Sequence, residues 1–420
     1  MDIVDYSDKV WRGLISLEEY RTGQLMKHGL VEVGKNTRFW LSTGNVVAVD
    51  TGDGLVLLDT GQRSTAEKLF ESIRRWTPTR LCAAVFSHGH LDHIFGMAPF
   101  DAESREQRWP SPTVIAHEAI LDRFVRYVMT AGYRRIVNQR QFQDSRAGWP
   151  TNYRYPDVTY RDKMQLHRGD VGFVLYHARG ETDDHTYVWL PGEKILYTAD
   201  FFIWACPNAG NPQKTQRYPQ EWANALRHMA TLEPEVLLPG HGVPIFGRQR
   251  IQKALADTAE LLESLCSQVL ELMNQGWRLN DIVHEVRVPE HLTTQPYLYP
   301  SHDEPEFLVN SIWRQYGGWY NGNPADLKPA ASADLAFCIA ELAGGTSKLV
   351  ERAILLMREG KYRVACHLIE MAALADPSNR DVHDARALVF STRAELESST
   401  MARGIFGSAA AESRAIGSET

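Results

Sequence analysis

The chain of 420 residues is too long for one ordinary hydrophobic core, and its length predicts two domains. A net charge of −7 and an apolar content of 44% fit a soluble globular protein and argue against a nucleic-acid-binding surface. The five cysteines lie far apart without a CxxC pair, and no apolar run has the length of a membrane span. Because the N-terminal segment also lacks the apolar core of a signal peptide, we expect a cytoplasmic protein that binds neither nucleic acid nor membrane.

The first part of the sequence is rich in strand-like runs. RFWLST, NVVAVDTG and GLVLLDTG are β-branched and apolar runs separated by glycine and aspartate, as in antiparallel strands with tight turns. A helical segment, TAEKLFESIRRW, precedes LCAAVFSH, which predicts a strand that is buried on both faces and ends at His88. Residues 110–170 predict helix and long loop, after which FVLYHARG, TYVWLP, KILYTADFF and VLLPGHG restore the strand pattern.

The pattern becomes helical in the second part of the chain. In IQKALADTAELLESLCSQVLELM the apolar residues recur at helical spacing and form one stripe. Residues 348–394 are similar to a tetratricopeptide-type helix pair, although one pair is too few for a repeat array. The sequence thus predicts a strand-rich domain at 1–247, a helical domain at 248–400 and, from its serine, alanine and glycine content, a loosely ordered tail at 401–420.

The segment FSHGHLDHIFG, residues 86–96, places His88, His90, Asp92 and His93 at the end of the buried run. Imidazole and carboxylate groups are ligands that borderline ions such as Zn²⁺ accept. Because residues i and i+2 of an extended segment point the same way, His88 and His90 can converge on one ion. Asp92 and His93 follow where the chain turns into a helix, so they can reach a second ion. The segment therefore predicts two ligands for each of two metal sites, both to be completed from elsewhere.

The remaining ligands are expected from other strand ends at the same edge of the sheets. His241 follows the run VLLPG, and Asp200 ends the run KILYTAD, where its two oxygens can bridge both ions. In HARGETDDH, the residues His177, Glu181 and His185 are alternative ligands, and their spacing leaves all three open.

The motifs resemble those of a known family. SHGHLDH resembles the HxHxDH signature of the metallo-β-lactamase superfamily, and GETDDH, TAD, PGHG and LLDTG are similar to its other motifs. This resemblance covers residues 30–245 and implies an α+β fold, the αββα sandwich, with a dinuclear site at one edge. Glu181 stands where that family commonly has histidine, which is a feature of its alkylsulfatase branch. The segments FLVNSIWRQYGGWYNGNPADLKP and ELAGGTSKLVERAILLMREGKYRVACHLIEMAALADPSN are similar to the alkylsulfatase dimerisation domain.

The resemblance implies a full set of ligands and partners. One ion is held by His88, His90 and Glu181, the other by Asp92, His93 and His241, and Asp200 bridges the two where that branch usually has glutamate. The implied cofactors are two divalent ions, with Zn²⁺ expected first and manganese or iron left open by the carboxylates. The helical domain at 248–400 is then a dimerisation domain, and the protein is a homodimer.

The resemblance also implies an activity, the hydrolysis of an alkyl sulfate ester by a hydroxide that bridges the metals. Asp92 and Asp200 are the expected catalytic residues at that hydroxide. Because the chain carries no sterol-carrier-like C-terminal domain, we expect a short or medium alkyl chain. The alternative is a phosphoester, lactone or thioester substrate at the same site, since fold-level analogy is a weak guide to substrate. An interaction protein is a third hypothesis, which the complete ligand set disfavours.

Substrate-binding residues are expected in the segment that follows TADFF. Asn208 is expected to donate a hydrogen bond to the sulfate, and Lys214 and Arg217 lie near the positions where the family has its basic residues. Arg134 is a further cation that can neutralise the substrate charge.

Overall fold

The computed structural model describes residues 2–15 and 29–418, and the strands of this part of the chain form two sheets. The first sheet follows chain order: β1 (Leu30–Glu32), β2 (Thr37–Trp40), β3 (Val46–Asp50), β4 (Leu55–Leu58), β5 (Leu81–Val85), β6 (Thr113–His117) and β7 (Val158–Tyr160). Strands β1 to β4 pair antiparallel, and β4 to β7 pair parallel. The parallel strands bring their carboxyl ends to one edge of the sheet.

The second sheet runs in reverse order, from β13 to β8. Its strands are β8 (Lys163–Arg168), β9 (Val171–His177), β10 (Thr186–Leu190), β11 (Ile195–Ile203), β12 (Val236–His241) and β13 (Ile245–Phe246). All neighbours pair antiparallel except β11 and β12, which run parallel. The β11 and β12 carboxyl ends therefore also lie together at one edge.

Helices cover the outer faces of both sheets. The helices of the strand-rich half are α1 (Ile3–Trp11), α2 (Ala66–Trp76), α3 (Leu91–Ile94), α4 (Ala98–Glu106), α5 (Ala119–Met129), α6 (Ala131–Phe142) and α7 (Pro219–Thr231). Leu69 of α2 and Phe100 of α4 are buried against Leu57 and Ala84 of the first sheet. The core between the sheets includes Val47, Val56, Phe173 and Leu196. This αββα arrangement confirms the predicted fold class.

The second half of the described chain is helical. It contains α8 (Arg248–Asn274), α9 (Leu279–Glu285), α10 (Glu290–Thr293), α11 (Pro305–Gly317), α12 (Pro324–Leu327), α13 (Ser332–Ala343), α14 (Thr346–Arg358), α15 (Tyr362–Ala375), α16 (Arg380–Leu396) and α17 (Thr400–Ser418). Leu255 and Leu262 of α8 join the core that contains the second sheet, so the two halves share apolar packing. In the described ranges, no helix combines the length and the apolar character needed to cross a bilayer.

The C-terminal segment differs from its prediction. In place of the loosely ordered tail expected at 401–420, residues Thr400–Ser418 form helix α17. Its Ala410 is buried, and Arg386 of α16 donates hydrogen bonds to the carbonyl of Ala409 and to the hydroxyl of Ser413. Alanine favours helix, and packing against α16 offsets the unfavourable glycines.

Candidate metal centre

Two groups of potential metal ligands meet at the edge where the strands end. His88, His90, Glu181 and Asp200 form the first cluster, in which the ligand atoms all lie within 4.8 Å of one another. His88 Nε2 is 2.8 Å from His90 Nδ1 and 3.6 Å from Asp200 Oδ2. His90 Nδ1 lies 3.7 Å from Glu181 Oε1. These atoms converge on one small volume, as ligands of a single ion do.

Asp92, His93 and His241 form the second cluster, with ligand atoms again within 4.8 Å. His241 Nε2 lies 3.6 Å from Asp92 Oδ2 and 3.2 Å from Asp200 Oδ2. His93 Nε2 lies 3.3 Å from Asp200 Oδ1. The Asp200 carboxylate therefore contacts both clusters, one oxygen facing His93 and the other facing His88 and His241.

Asp200 was predicted to lie at the end of a strand, but it lies inside β11, next to an irregularity in the strand pairing. Ala199 has φ of 45°, and the pairing of β11 with β12 shifts register on both sides of it. Such a bulge redirects the following side chain, which here is Asp200. Gly240 lies against it, because an ideal Cβ on that glycine would sit 2.0 Å from Asp200 Oδ1.

Asn45 joins the two sheets at the same edge. It is fully buried, and its Nδ2 donates to the carbonyls of Pro239 at 3.0 Å and Gly242 at 2.8 Å. The backbone amide of Asn45 also donates to the carbonyl of Gly240 at 2.8 Å. Because these three carbonyls belong to residues around His241, the hydrogen bonds fix the turn that carries His241 to the first sheet.

Asp59, the carboxylate of the LLDTG motif, supports His93 from behind. The residue is fully buried, and its Oδ2 accepts from His93 Nδ1 at 2.7 Å. The Ser87 amide and hydroxyl donate to it at 2.6 Å each, and the Tyr197 hydroxyl donates as well. This arrangement directs His93 Nε2 into the second cluster, as carboxylates do for metal-binding histidines. The sequence pattern marked this motif without assigning Asp59 a role.

Glu181 has two partners from the segment between β11 and α7. Arg217 Nη1 is 2.7 Å from Glu181 Oε1 and 2.6 Å from the Glu181 carbonyl oxygen, and Asn208 Nδ2 donates to the same Oε1. Arg217 is only 3% exposed. Both residues were predicted to bind substrate, and in the structure Asn208 Nδ2 and Arg217 Nη1 contact Glu181, while the remaining N–H groups of the Arg217 guanidinium are not part of these contacts.

A buried ion pair holds the loop of Glu181 against the loop of His88 and His90. Arg123 of α5 contacts Asp184 at 2.8 Å and also pairs with Asp183. Asp184 Oδ2 accepts from the Gly89 amide, between the two histidines, at 2.8 Å. Neither Arg123 nor Asp184 was singled out from the sequence, because their link depends on contacts between distant segments.

The other two candidates in HARGETDDH lie outside the clusters. His185 is fully buried and stacks on Phe201, and its Nε2 accepts from the Asp200 amide at 3.3 Å. Burial lowers the pKa of His185 to about 3, which keeps the ring neutral. His177 stacks on His117 with ring centroids 3.5 Å apart. In the structure, therefore, Glu181 alone of the three joins a ligand cluster.

The electrostatics of both clusters suit a cation. Burial lowers the pKa of His88 and of His90 well below the usual value, so both rings are neutral and offer lone pairs at neutral pH. Burial opposes protonation of His241, yet the carboxylates of Asp200 and Asp92 raise its pKa to about 9. A field that attracts a proton to this imidazole also attracts a metal ion.

Several buried ligand atoms have no hydrogen bond. These are His93 Nε2, Glu181 Oε2 and Asp200 Oδ1, none of which has a partner of acceptable geometry in the described chain. Buried polar atoms without partners are rare in native proteins and indicate an unseen ion or water. Because they point into the two clusters, the residues present fit two metal ions.

Two basic side chains, the buried Arg134 and the partly buried Lys214, lie against Trp149. Arg134 is 5% exposed and rests over the rings of Tyr127 and Trp149, with centroids 4.7 and 5.7 Å from its guanidinium carbon. Lys214 Nζ lies 5.4 Å from the Trp149 centroid. Burial, followed by repulsion from Arg134 and Arg217, lowers the pKa of Lys214 to about 7. Among the described residues no carboxylate lies within 4 Å of either cation, so both can receive an anion.

Comparisons with known proteins match both halves of the chain. The model of the metallo-β-lactamase superfamily matches residues 40–241, and the model for alkyl sulfatase dimerisation matches residues 278–415. The second match includes most of helix α17.

Curated relatives that match most of the chain include three sulfatases. A linear primary-alkylsulfatase of Pseudomonas sp. (strain ATCC 19151) is 26% identical over 363 residues, which is 81% of this chain and 69% of that protein. An (R)-specific secondary-alkylsulfatase of Pseudomonas sp. is 25% identical over 83% of this chain and 56% of its own length. An alkyl/aryl-sulfatase of Saccharomyces cerevisiae is 24% identical over 86% of this chain and 59% of its own length. The chain thus spans between 56% and 69% of the length of these three relatives.

The fold has a solved counterpart. The stereoselective inverting sec-alkylsulfatase Pisa1 from Pseudomonas sp. superposes with a TM-score of 0.82 at 23% identity, covering 92% of this chain and 65% of that one. At this identity the likeness establishes the common fold of the two chains.

Proposed function

Because residues 40–241 match the metallo-β-lactamase superfamily and residues 278–415 match the alkyl sulfatase dimerisation model, we propose that the chain hydrolyses alkyl sulfate esters with two divalent metal ions. One observation carries the proposal. The Asp200 carboxylate contacts both ligand clusters, and partly buried Lys214 lies within electrostatic reach of Glu181, Asp92 and the buried Arg134, with no carboxylate within 4 Å of either basic group among the described residues. Such a site combines metal ligands with charges that complement an anionic ester.

The proposal assigns His88, His90 and Glu181 to one ion, Asp92, His93 and His241 to the other, and Asp200 to both. Zn²⁺ is the proposed ion, since imidazole and carboxylate ligands in open sites are typical of catalytic zinc. When bound, a pair of divalent ions supplies Lewis acidity toward the ester and lowers the pKa of water to roughly 7.

The residues of the chain prepare the site for an ionic substrate. Despite its burial, His241 and His93 hold the pKa of Asp200 well below its usual range, so Asp200 is an anion that can accept a proton-donating water. We assign Lys214 and Arg134 to the sulfate group. We assign Asn208 and Arg217 to Glu181, because their donors contact that carboxylate.

The test is a comparison of substrates on Zn²⁺-loaded protein. Matched alkyl sulfate, alkyl phosphate, lactone and thioester substrates are incubated with the protein, and inorganic sulfate release is followed by ion chromatography. We expect turnover of the alkyl sulfate. Asp92→Ala should lower kcat/KM roughly a thousandfold, because loss of a metal ligand removes several kcal/mol of charge stabilisation.

The control is Asp101→Ala, which removes a carboxylate from α4, away from both clusters, and should keep wild-type activity. Circular dichroism must show that both variants are folded. If the protein released no sulfate but cleaved the phosphate ester, the lactone or the thioester, the alternative substrate class would be correct. Wild-type turnover by Asp92→Ala in metal-depleted buffer would contradict the metal-dependent mechanism.

We also propose a homodimer formed through the helical half, as the match to the dimerisation model supports. The cytoplasmic location stays a prediction from cysteine usage.

A further inference from the structure

The segment between β11 and α7, residues 204–218, carries Asn208, Lys214 and Arg217, and we call it the connecting loop. It belongs in sequence to the strand-rich half. Its contacts, however, reach far along the chain into the segment that leads into α11. This arrangement raises the question of which half of the protein sets the geometry around Glu181.

Three contacts attach the connecting loop to the helical half. The Cys206 amide donates to the Tyr299 carbonyl at 2.9 Å. The Gly210 amide donates to Asp303 Oδ2 at 2.6 Å. Farther along, Gln216 Nε2 donates to the Ser311 carbonyl at 3.0 Å, and its Oε1 accepts from Arg314 Nε at 3.0 Å.

These contacts bracket the residues that meet Glu181. Asn208 lies between the first two, and Arg217 directly follows the third. A shift of the connecting loop relative to Glu181 would therefore strain these contacts with the helical half, in addition to the hydrogen bond from the Tyr218 amide to the Gly180 carbonyl at 2.9 Å.

Asp303 is the central contact. It is fully buried, and its second oxygen accepts from the Glu304 amide at 2.9 Å, so both carboxylate oxygens are engaged. The loop approaches closely here, because an ideal Cβ on Gly210 would lie 2.2 Å from the Leu308 nitrogen. Only a glycine fits, and its amide points at the carboxylate.

We propose that Asp303 is a positioning residue, which holds the connecting loop so that Asn208 and Arg217 orient Glu181 toward its metal ion. The idea rests on the proposed function, in which Glu181 is a metal ligand. Groups that orient a ligand typically change metal affinity 10–100-fold when removed. Asp303 acts through two intermediates, so an effect of about tenfold is expected.

The first test measures metal affinity and needs no substrate. Purified full-length protein is titrated with Zn²⁺ against a chromogenic chelator. In Asp303→Ala, one of the two sites should weaken about tenfold while the other keeps wild-type affinity. Asp303→Asn should recover part of the loss, because its Oδ1 can still accept from the Gly210 amide while its Nδ2 cannot accept from the Glu304 amide.

The matched control is Asp257→Ala. Asp257 is also a buried carboxylate of the helical half, 8% exposed, and it accepts from the Tyr297 hydroxyl at 2.6 Å without contacting the connecting loop. It should lose stability but keep both Zn²⁺ affinities. An equal loss in Asp257→Ala, or two wild-type affinities in Asp303→Ala, would overturn the proposal.

The second test separates this inference from the proposed activity. Hydrogen exchange of residues 204–218 should be faster in Asp303→Ala than in wild type or in Asp257→Ala, whether or not the protein cleaves sulfate esters. If the substrate is an alkyl sulfate, kcat/KM at limiting Zn²⁺ should fall about tenfold, in step with the loss of metal affinity. If Asp303→Ala does not fold, Gln216→Ala, which breaks the third contact, should give the same two changes. Unchanged exchange in both variants would sink the proposal.

Discussion

The Asp59 carboxylate has donors on both oxygens, and one of them is the imidazole of His93. With φ of 57° this residue also adopts a left-handed backbone that non-glycine residues rarely take. The surrounding hydrogen bonds offset this backbone cost. The orientation of His93 therefore depends on a residue that is not itself in either cluster.

Asp59→Asn keeps the size of the side chain but turns one acceptor into a donor. We expect the affinity for the ion at His93 to fall 10–100-fold, because His93 Nδ1–H or the Tyr197 hydroxyl then loses its acceptor. Competition titration with a chelator measures this change. Asp50→Asn is the control. Asp50 ends β3, which runs antiparallel to β4, so it lies at the edge of the sheet opposite Asp59, where it accepts from the Thr77 hydroxyl at 2.7 Å. A normal affinity in Asp59→Asn would contradict the role given to Asp59.

The ligand residues could be found from the sequence because their signals are local. Histidines and aspartates follow apolar runs, and a sheet brings such strand ends to one edge. Asp59 and Asp184 could not be assigned, because their partners lie 28 and 95 residues away along the chain. The contacts of Asn208 and Arg217 with Glu181 could not be predicted, because Glu181 lies 27 and 36 residues away from them along the chain. Their binding of substrate stays a prediction.

At the scale of elements, the two sheets meet through a pair of histidines. His117 ends β6 and His177 ends β9, and the rings stack at 3.5 Å with planes 10° apart. His117 Nδ1 accepts from the Ala119 amide at 3.2 Å. Burial and the neighbouring His177 lower the pKa of His117 to about 4, against weaker opposing effects of Asp184 and Glu118.

This pair predicts a loss of stability in acid. Because the folded pKa of about 4 lies below the unfolded value of roughly 6.5, protons favour the unfolded chain. The contribution is intact above pH 6.5 and falls as the pH drops toward 4. His117→Asn keeps an acceptor for the Ala119 amide but does not titrate.

Between pH 7.5 and 5.0, wild type should lose about 1–2 kcal/mol more unfolding free energy than His117→Asn. Urea denaturation at both pH values measures the difference. The same pH dependence in both proteins would show that His117 does not contribute.

The order of strands and helices was largely predictable, because alternating and helical apolar patterns are strong in this chain. The bulge at Ala199 was not, since register against β12 is a property of the pair of strands. Helix α17 was missed for a similar reason. Its small residues suggest little order alone, and the packing on α16 becomes visible only in three dimensions.

At the scale of the whole molecule, the helical half exposes apolar side chains. On α13, Leu335, Phe337 and Leu342 are 49%, 61% and 89% exposed. A soluble monomer rarely presents a cluster of large apolar residues on one short helix. Leu335 and Leu342 lie on the same side of α13, because they are seven residues apart, whereas Phe337 lies about 160° around the helix from Leu335. We propose that these exposed side chains contact a second copy of the chain, a proposal supported by the match of residues 278–415 to the dimerisation model.

We expect a homodimer in solution, and Phe337→Glu combined with Leu342→Glu should give a monomer, because a buried charge in an apolar interface costs several kcal/mol. Light scattering coupled to size exclusion measures the mass. Met129→Glu is the control, since Met129 is 80% exposed on α5 of the strand-rich half. If Met129→Glu were a monomer and the double variant a dimer, the interface would lie on the strand-rich half, and our proposal would be wrong.

The contacts of the connecting loop also limit how this protein can be recombined. Helix α17 adds to them, because an ideal Cβ on Gly404 would lie 2.2 Å from the carbonyl oxygen of Gln141 in α6, the helix that carries Arg134. A chimera that joined this strand-rich half to the helical half of a relative would have to keep the partners of Gly210 and Gly404. The two halves are separate in sequence, but because of these contacts a change in one half must be matched by its partner residues in the other.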